Sequence, residues 1–466
     1  MNAFKDHRSS QAFESRSFFL NTLFVLLLLC VFAKGSWLWL ARISWMILPI
    51  LFAIDIRYAV YSAFYFSTFF QPSGYFVNPW FTLKYFHIVI LLTIIVRMMN
   101  GVFHKDLIRG LKSKKIYYAI FAILFIGVVN FSRLGLPLSS LRTPGNLTLV
   151  LCMIIYLTGL VLNQWHNGNR DIIKLSGNWM VYGAATQIVV AFWNMQLHSD
   201  FLRLSLPHNN HLGILSSFCV MFALSSYINA KTSYNRLFRL FILGVLFCGL
   251  IASLSRTAWF TFWFSFFLYL FLIDLHLKTY KSTSPQIKRR VIIGLFIFLL
   301  MSLIIFDRAV FERFTTLPQL LDMNYWKYTL ADQKNFGFLG VLRLRDLKSL
   351  YAILSRELFL GTGFIRKTVD MHGFYMVVLG STGAVGFSLF IYFLYNLLRS
   401  LWKILWINDQ KSAVLKVVVF GVIFIWVLGS FMETYFLQFF IWTNVAMAVM
   451  LIESASEGSI SNELSP

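Results

Sequence analysis

Val417–Phe431 reads VVVFGVIFIWVLGSF, an apolar run without a single charged residue. It approaches the ~20 residues that a membrane-spanning helix requires. Phe18–Ala33 and Val291–Phe306 repeat the pattern, and comparable runs recur along nearly the whole chain. Composition agrees: 58% of the 466 residues are hydrophobic, 50 are Phe, and only 13% are charged. A soluble globule usually carries about 25% charged residues. The expected fold class is therefore all-α, a polytopic transmembrane helix bundle of about 12–14 spans with no separate soluble domain.

The first run follows Lys5, Arg8 and Arg16, but Lys34-Gly35-Ser36-Trp37 is a poor signal-peptidase site and more spans follow, so it reads as a retained first helix. Cys30, Cys152, Cys219 and Cys248 sit inside apolar runs without metal-ligand or disulfide spacing and read as small packing residues. The formal charge of +22 is concentrated in short connections between apolar runs. The positive-inside rule accounts for it, and a nucleic-acid partner is not expected.

Apolar runs near 18–33, 36–54, 57–73, 81–99, 116–130, 147–162, 178–197, 210–229, 238–255, 257–275, 291–306, 373–398, 412–431 and 433–452 mark the spans. The pair 36–54 and 57–73, separated only by Asp55-Ile56-Arg57, is aromatic-rich and can also be tilted or partly interfacial. His104–Lys115, Lys231–Arg239, Lys278–Arg290 and Arg399–Lys411 alternate correctly as cytoplasmic loops. Both termini then lie inside, and the connections near 131–146, 198–209, 255–257 and 307–372 lie outside. The division expected is a bundle at 1–306, a periplasmic loop at 307–372, further spans at 373–452 and a disordered cytoplasmic tail at 453–466.

The outer face carries Arg133, Arg142, Arg203 and Arg256, with further arginines in the long loop. Basic residues there oppose the orientation bias. Such arginines either snorkel or pair with Asp and Glu of the same loop, or they meet an anion. Within the loop, Leu342–Leu358 (LRLRDLKSLYAILSREL) has a helical apolar rhythm that Gly361-Thr362-Gly363 ends. An amphipathic helix over the membrane mouth is expected, offering Arg343 and Arg345 to an anionic head group.

Asp370-Met371-His372-Gly373-Phe374-Tyr375 opens the next span. An imidazole, with its ordinary pKa near ~6.5, can take a proton from an incoming hydroxyl, and Asp370 can orient it. A histidine at a helix end can equally be a cap. Two more stretches converge on the same face: Pro207-His208-Asn209-Asn210-His211-Leu212-Gly213, and Ser253-Leu254-Ser255-Arg256-Thr257-Ala258-Trp259 at a tight reversal. A charge at the depth of Arg256 is expensive unless it meets an anion such as a diphosphate, and Trp259 reads as an interface anchor. No D-x-D pair, Walker loop, H-E-x-x-H or G-x-S-x-G occurs in a supporting context, so neither metal, nucleotide nor other cofactor is expected.

These stretches resemble motifs of the bacterial O-antigen ligase and polymerase family. His372-Gly373, then nine residues, then Gly383-Ala384-Val385-Gly386 is similar to the family's histidine motif, with Gly373 in place of a small amide or hydroxyl residue and Ser381 in place of its usual Glu. Arg343-Leu344-Arg345-Asp346-Leu347 through Leu358-Phe359-Leu360-Gly361-Thr362-Gly363 resembles R-L-x-x-W…P-L-x-G-x-G, with Leu347 and Leu358 at the Trp and Pro positions. Ser255–Trp259 resembles S-R-G-A-W, and His208–Leu215 resembles N-P-N-x-L-A; all four stand in the family's order over roughly 200–390.

The resemblance implies a metal-independent glycosyltransferase whose donor is an undecaprenyl-diphosphate-linked glycan. His372 would be the catalytic base. Arg256 and Arg343, with Arg345 and Arg203, would hold the diphosphate. Asp370, Tyr375, Asn210, His211 and Trp259 would support them, with membrane lipids as the surroundings. A ligase passes the glycan to lipid A-core in lipopolysaccharide biosynthesis, whereas a polymerase passes it to a second lipid-linked glycan. A lipid-glycan transporter or flippase, the reading from another class, calls for charges at the bilayer midplane and repeated halves, and the sequence displays neither.

Overall fold

The computed structural model describes residues 19–31, 38–69, 76–77, 82–83, 85–100, 114–169, 171–193, 209–228, 232–253, 255–279, 339–365, 373–407, 413–430 and 439–463, together with Ala230, Thr368 and Met371. They are helical almost throughout. A two-stranded antiparallel hairpin, β1 (Phe76–Val77) with β2 (Thr82–Leu83), is the departure from the all-α expectation. The 291–306 run lies outside the described residues.

The chain begins with α1 (Phe19–Cys30), α2 (Leu38–Ile54) and α3 (Ile56–Phe66). Asp55 separates the last two, its carboxylate capping α3 by accepting from the Arg57 amide at 2.9 Å. The 57–73 reading is corrected here: α3 has 11 residues and rises only about 16 Å, half a hydrocarbon core. It stops because Ser67 and Thr68 turn their hydroxyls back onto the Phe64 and Tyr65 carbonyls, both at 2.8 Å.

Then follow α4 (Tyr85–Met99), α5 (Lys114–Arg133), α6 (Arg142–His166), α7 (Ile172–Trp193), α8 (Asn209–Ile228), α9 (Ser233–Ala252) and α10 (Arg256–Thr279). Further along the chain come α11 (Leu339–Leu354), α12 (Phe374–Leu405), α13 (Ala413–Gly429) and α14 (Phe439–Glu463). Within α5, α6, α9 and α12 lie stretches long and apolar enough to cross a membrane. The last helix runs on to Glu463, through most of the segment expected to be a disordered tail. Its serines suggested disorder, but Glu453 is buried and Leu451–Ala455 packs into the bundle, so helix propagates from the span into the tail.

The core is apolar, as in a water-soluble protein, but much of the exterior is apolar as well. Phe260, Phe264, Phe267 and Phe271 form an outward stripe on α10, as do Tyr234, Leu237, Phe238 and Phe241 on α9. Meanwhile Ser176, Ser216, Ser217, Thr158 and Asn444 are buried. Water penalises an apolar surface of this extent, whereas lipid tails cover it without cost. Of these buried polar residues, Ser176, Ser217 and Thr158 return their hydroxyls to their own helices, at the Ile172, Gly213 and Ile154 carbonyls, each at 2.8 Å.

Helix ends find each other in an order that collects one end of the bundle. Ser67, just past α3, meets Thr443 near the start of α14 at 3.3 Å. Trp442 of α14 lies 6.0 Å from Trp426 near the end of α13. The amide of Phe374, first in α12, donates to Ser430, just past α13, at 2.8 Å. Phe424 of α13 stacks on Phe264 in the first half of α10, centroids 5.8 Å apart. This one end therefore holds the starts of α10, α12 and α14 with the ends of α3 and α13.

Candidate functional site

Two junctions stand at this end, and each joins stretches that the sequence singled out. The first is the reversal between α9 and α10. Ser253 Oγ donates to the Leu250 carbonyl at 2.6 Å and accepts from the Ser255 amide at 3.2 Å. Ser255 Oγ then accepts from the Ala258 amide at 3.2 Å, which is the N-cap geometry that starts α10 at Arg256. Trp259, expected as an interface anchor, is half-buried, and its indole N–H donates to the Leu250 carbonyl at 2.9 Å, closing the last turn of α9. Against this reversal sits the first turn of α8, where Gly213 comes so close that a Cβ would lie 2.6 Å from Ser253 Oγ and from Ala258 Cβ. Arg256 therefore heads α10 beside the helix start that carries Asn210 and His211. The side chains of these three residues lie outside the described set.

The second junction is a break in α12. At Gly383 the backbone turns to φ 64°, ψ −165°, dividing α12 into an upper segment, Phe374–Thr382, and a lower one beginning at Ala384. A helix break strands carbonyls above it and amides below it. The stretch 357–363 fills the gap as a strap. Thr362 N and Gly363 N donate to the Gly380 and Ser381 carbonyls at 3.0 and 2.9 Å. Ala384 N and Val385 N donate to the Leu358 and Phe359 carbonyls at 2.8 and 3.1 Å. A Cβ on Gly383 would meet the Phe359 carbonyl at 2.4 Å, and one on Gly361 (φ 69°) the Gly383 amide at 2.6 Å. Two backbones at this separation leave room only for glycine.

From α5 a third element grips the same strap. Asn130 Nδ2 donates to the Ser381 carbonyl at 3.1 Å and also to the Leu360 carbonyl. Arg133 pairs with Glu357 at 2.7 Å and donates to the Gly361 carbonyl at 2.9 Å. Arg133 thus pairs with a carboxylate, but one from a distant loop and not from its own as expected.

The amphipathic helix is present as α11, but it ends at Leu354, short of the expected Leu358, since turns follow from Ser355. Leu350 and Ile353 pack on Met371 and Val377, fixing α11 to the upper segment of α12. Leu347, Tyr351 and Leu358 are exposed instead. Arg343 and Arg345 lie in its N-terminal half, their side chains outside the described set. The Tyr375 hydroxyl, expected to support the mouth, donates to the Val427 carbonyl at 3.0 Å and so ties α12 to α13. Gly373 adopts φ 119°, which explains glycine where the resemblance has an amide or hydroxyl residue. His372, Asp370 and Arg203 lie outside the described residues; Met371 and Gly373, which flank His372, are buried at the start of α12.

Sequence reading missed Asn130 and Glu357. Their signal was an amide inside an apolar run, three residues before an arginine at its end, a pattern that in lipid calls for partners. No known family model matches the chain, and no curated protein was found to resemble it.

Proposed function

We propose that this is an integral membrane glycosyltransferase that moves a polyprenyl-diphosphate-linked glycan at the periplasmic face of a bacterial inner membrane, with lipid A-core as acceptor. The observation that carries the reading is the sealed break in α12. It welds the stretch that ends in Leu358–Gly363 to the stretch that begins at His372, the two that the motif resemblance pairs. In this reading His372 takes the proton of the acceptor hydroxyl, whose oxygen attacks the anomeric carbon. The diphosphate leaves, and its charge is met by Arg256 and Arg343, with Arg345 and Arg203 nearby in the proposed mouth.

The same observation weighs against transport. Broken helices in transporters leave backbone groups open to bind substrate or ions at the repeat interface. Here the strap takes the Gly380 and Ser381 carbonyls and the Ala384 and Val385 amides. The break is spent on holding the fold.

The decisive experiment incubates purified protein in nanodiscs with an undecaprenyl-diphosphate oligosaccharide, with and without lipid A-core, and reads products by mass. Glycan on lipid A-core supports the ligase. Growth of the lipid-linked chain without that acceptor would make it a polymerase, and no product beside an active control enzyme would return transport to favour. Arg256→Lys, a point charge in place of a fork, is expected to lower transfer about 10- to 100-fold with expression unchanged. Near-normal transfer would remove Arg256 from the diphosphate site.

A further inference from the structure

The guanidinium of Arg133 spends its donors on the chain itself. Nη1 donates to Glu357 Oε2 at 2.7 Å, where the strap begins, and Nη2 to the Gly361 carbonyl at 2.9 Å, in its middle. Nε and Nη2 also reach Asn130 Oδ1 at 3.3 and 3.2 Å. That orients the Asn130 amide toward the Leu360 and Ser381 carbonyls. One side chain at the end of α5 thus holds the strap at two points directly and at a third through its neighbour.

The strap in turn sets the upper segment of α12. Because the helix is discontinuous at Gly383, helical continuity alone does not orient Phe374–Thr382 relative to Ala384–Leu405. The strap crosses the break with two bonds to each side, while at the opposite end Phe374 and Tyr375 bond to the end of α13 and pack their rings on Phe387 and Phe390 beyond the break. That end follows His372-Gly373 directly.

We infer that Arg133 is a positioning residue: with Asn130 and Glu357 it locks the strap 357–363, and through the strap it fixes the segment of α12 that carries His372 into the site. In its catalytic consequence this rests on the transferase reading. Misplacement of a reacting group by about an ångström can cost on the order of 100-fold in rate while substrate binding is kept.

The test compares full-length wild type with Arg133→Gln, Arg133→Lys and Glu357→Gln in nanodiscs. It measures kcat and KM for the undecaprenyl-diphosphate oligosaccharide, and hydrogen exchange at the Thr362, Gly363, Ala384 and Val385 amides. Arg133→Gln is expected to lower kcat about tenfold or more, to leave KM within about threefold, and to speed exchange at those four amides but not in α8. Arg133→Lys and Glu357→Gln, which keep part of the network and guard against a misfolded Arg133→Gln, should move the same readouts less.

Wild-type exchange in all three variants, or faster exchange with unchanged kcat, would overturn the inference. So would a raised KM at constant kcat, which is the mark of a donor ligand. A wild type that transfers no glycan would sink the transferase reading alone, and the exchange rates would still decide whether Arg133 locks the strap.

Discussion

Gly383→Ala is expected to destabilise the protein by about 3–5 kcal/mol. Two costs add. At φ 64°, ψ −165° an L-residue is strained even without neighbours. The new Cβ would also lie 2.4 Å from both the carbon and the oxygen of the Phe359 carbonyl, and 2.6 Å from the Gly361 amide. These are backbone atoms, unable to swing aside as the tip of a side chain would, so the strap must leave the break. Its departure strands the Gly380 and Ser381 carbonyls and the Ala384 and Val385 amides in an apolar surrounding. The control is Gly244→Ala on α9, where nothing lies within 4 Å of the added carbon and the backbone is helical. That change should be neutral or stabilising by up to about 1 kcal/mol. Thermal unfolding of both variants in one detergent decides the matter: a Gly383→Ala midpoint equal to that of Gly244→Ala would mean that the strap does not hold the break.

The helical bundle was legible because lipid imposes a pattern on sequence: apolar runs of a given length, with basic residues between them. Boundaries were less so, since a helix stops where its last carbonyls find other partners. Ser67 and Thr68 supply those partners after Phe66 by turning back on Phe64 and Tyr65, in a stretch whose hydropathy still reads as a continuing span. The glycines of 361–363 and 383–386 were visible as motif positions, but their meaning was not. They looked like an end to one helix and small residues within another, whereas Gly361 and Gly383 press backbone to backbone and the residues around them carry the hydrogen bonds across the break. A one-dimensional pattern does not report a contact of that kind. Arg133 illustrates the limit in the other direction. Its charge at the end of an apolar run was plain, yet whether it met a ligand or a carboxylate depended on Glu357, a partner 224 positions away.

His372→Ala is expected to reduce glycan transfer by about 10²- to 10⁴-fold, the contribution of a positioned general base. In the proposed reaction the acceptor is a sugar hydroxyl, whose oxygen is a poor nucleophile until its proton has somewhere to go. Removing the imidazole leaves in place the arginines proposed to bind the diphosphate, so donor affinity should stay within about threefold while kcat collapses. The fold should also survive. The described residues on either side of His372, Met371 in contact with the α11 cluster and Gly373 ahead of α12, make their contacts without it. A proper measurement therefore couples single-turnover transfer to lipid A-core with donor binding and size-exclusion behaviour on the same preparation. Loss of turnover with intact binding is the result that a base requires. Equal loss of binding and turnover would make His372 part of the donor site, and near-normal transfer by a monodisperse His372→Ala protein would remove the base assignment and with it the mechanism proposed for this end of the bundle.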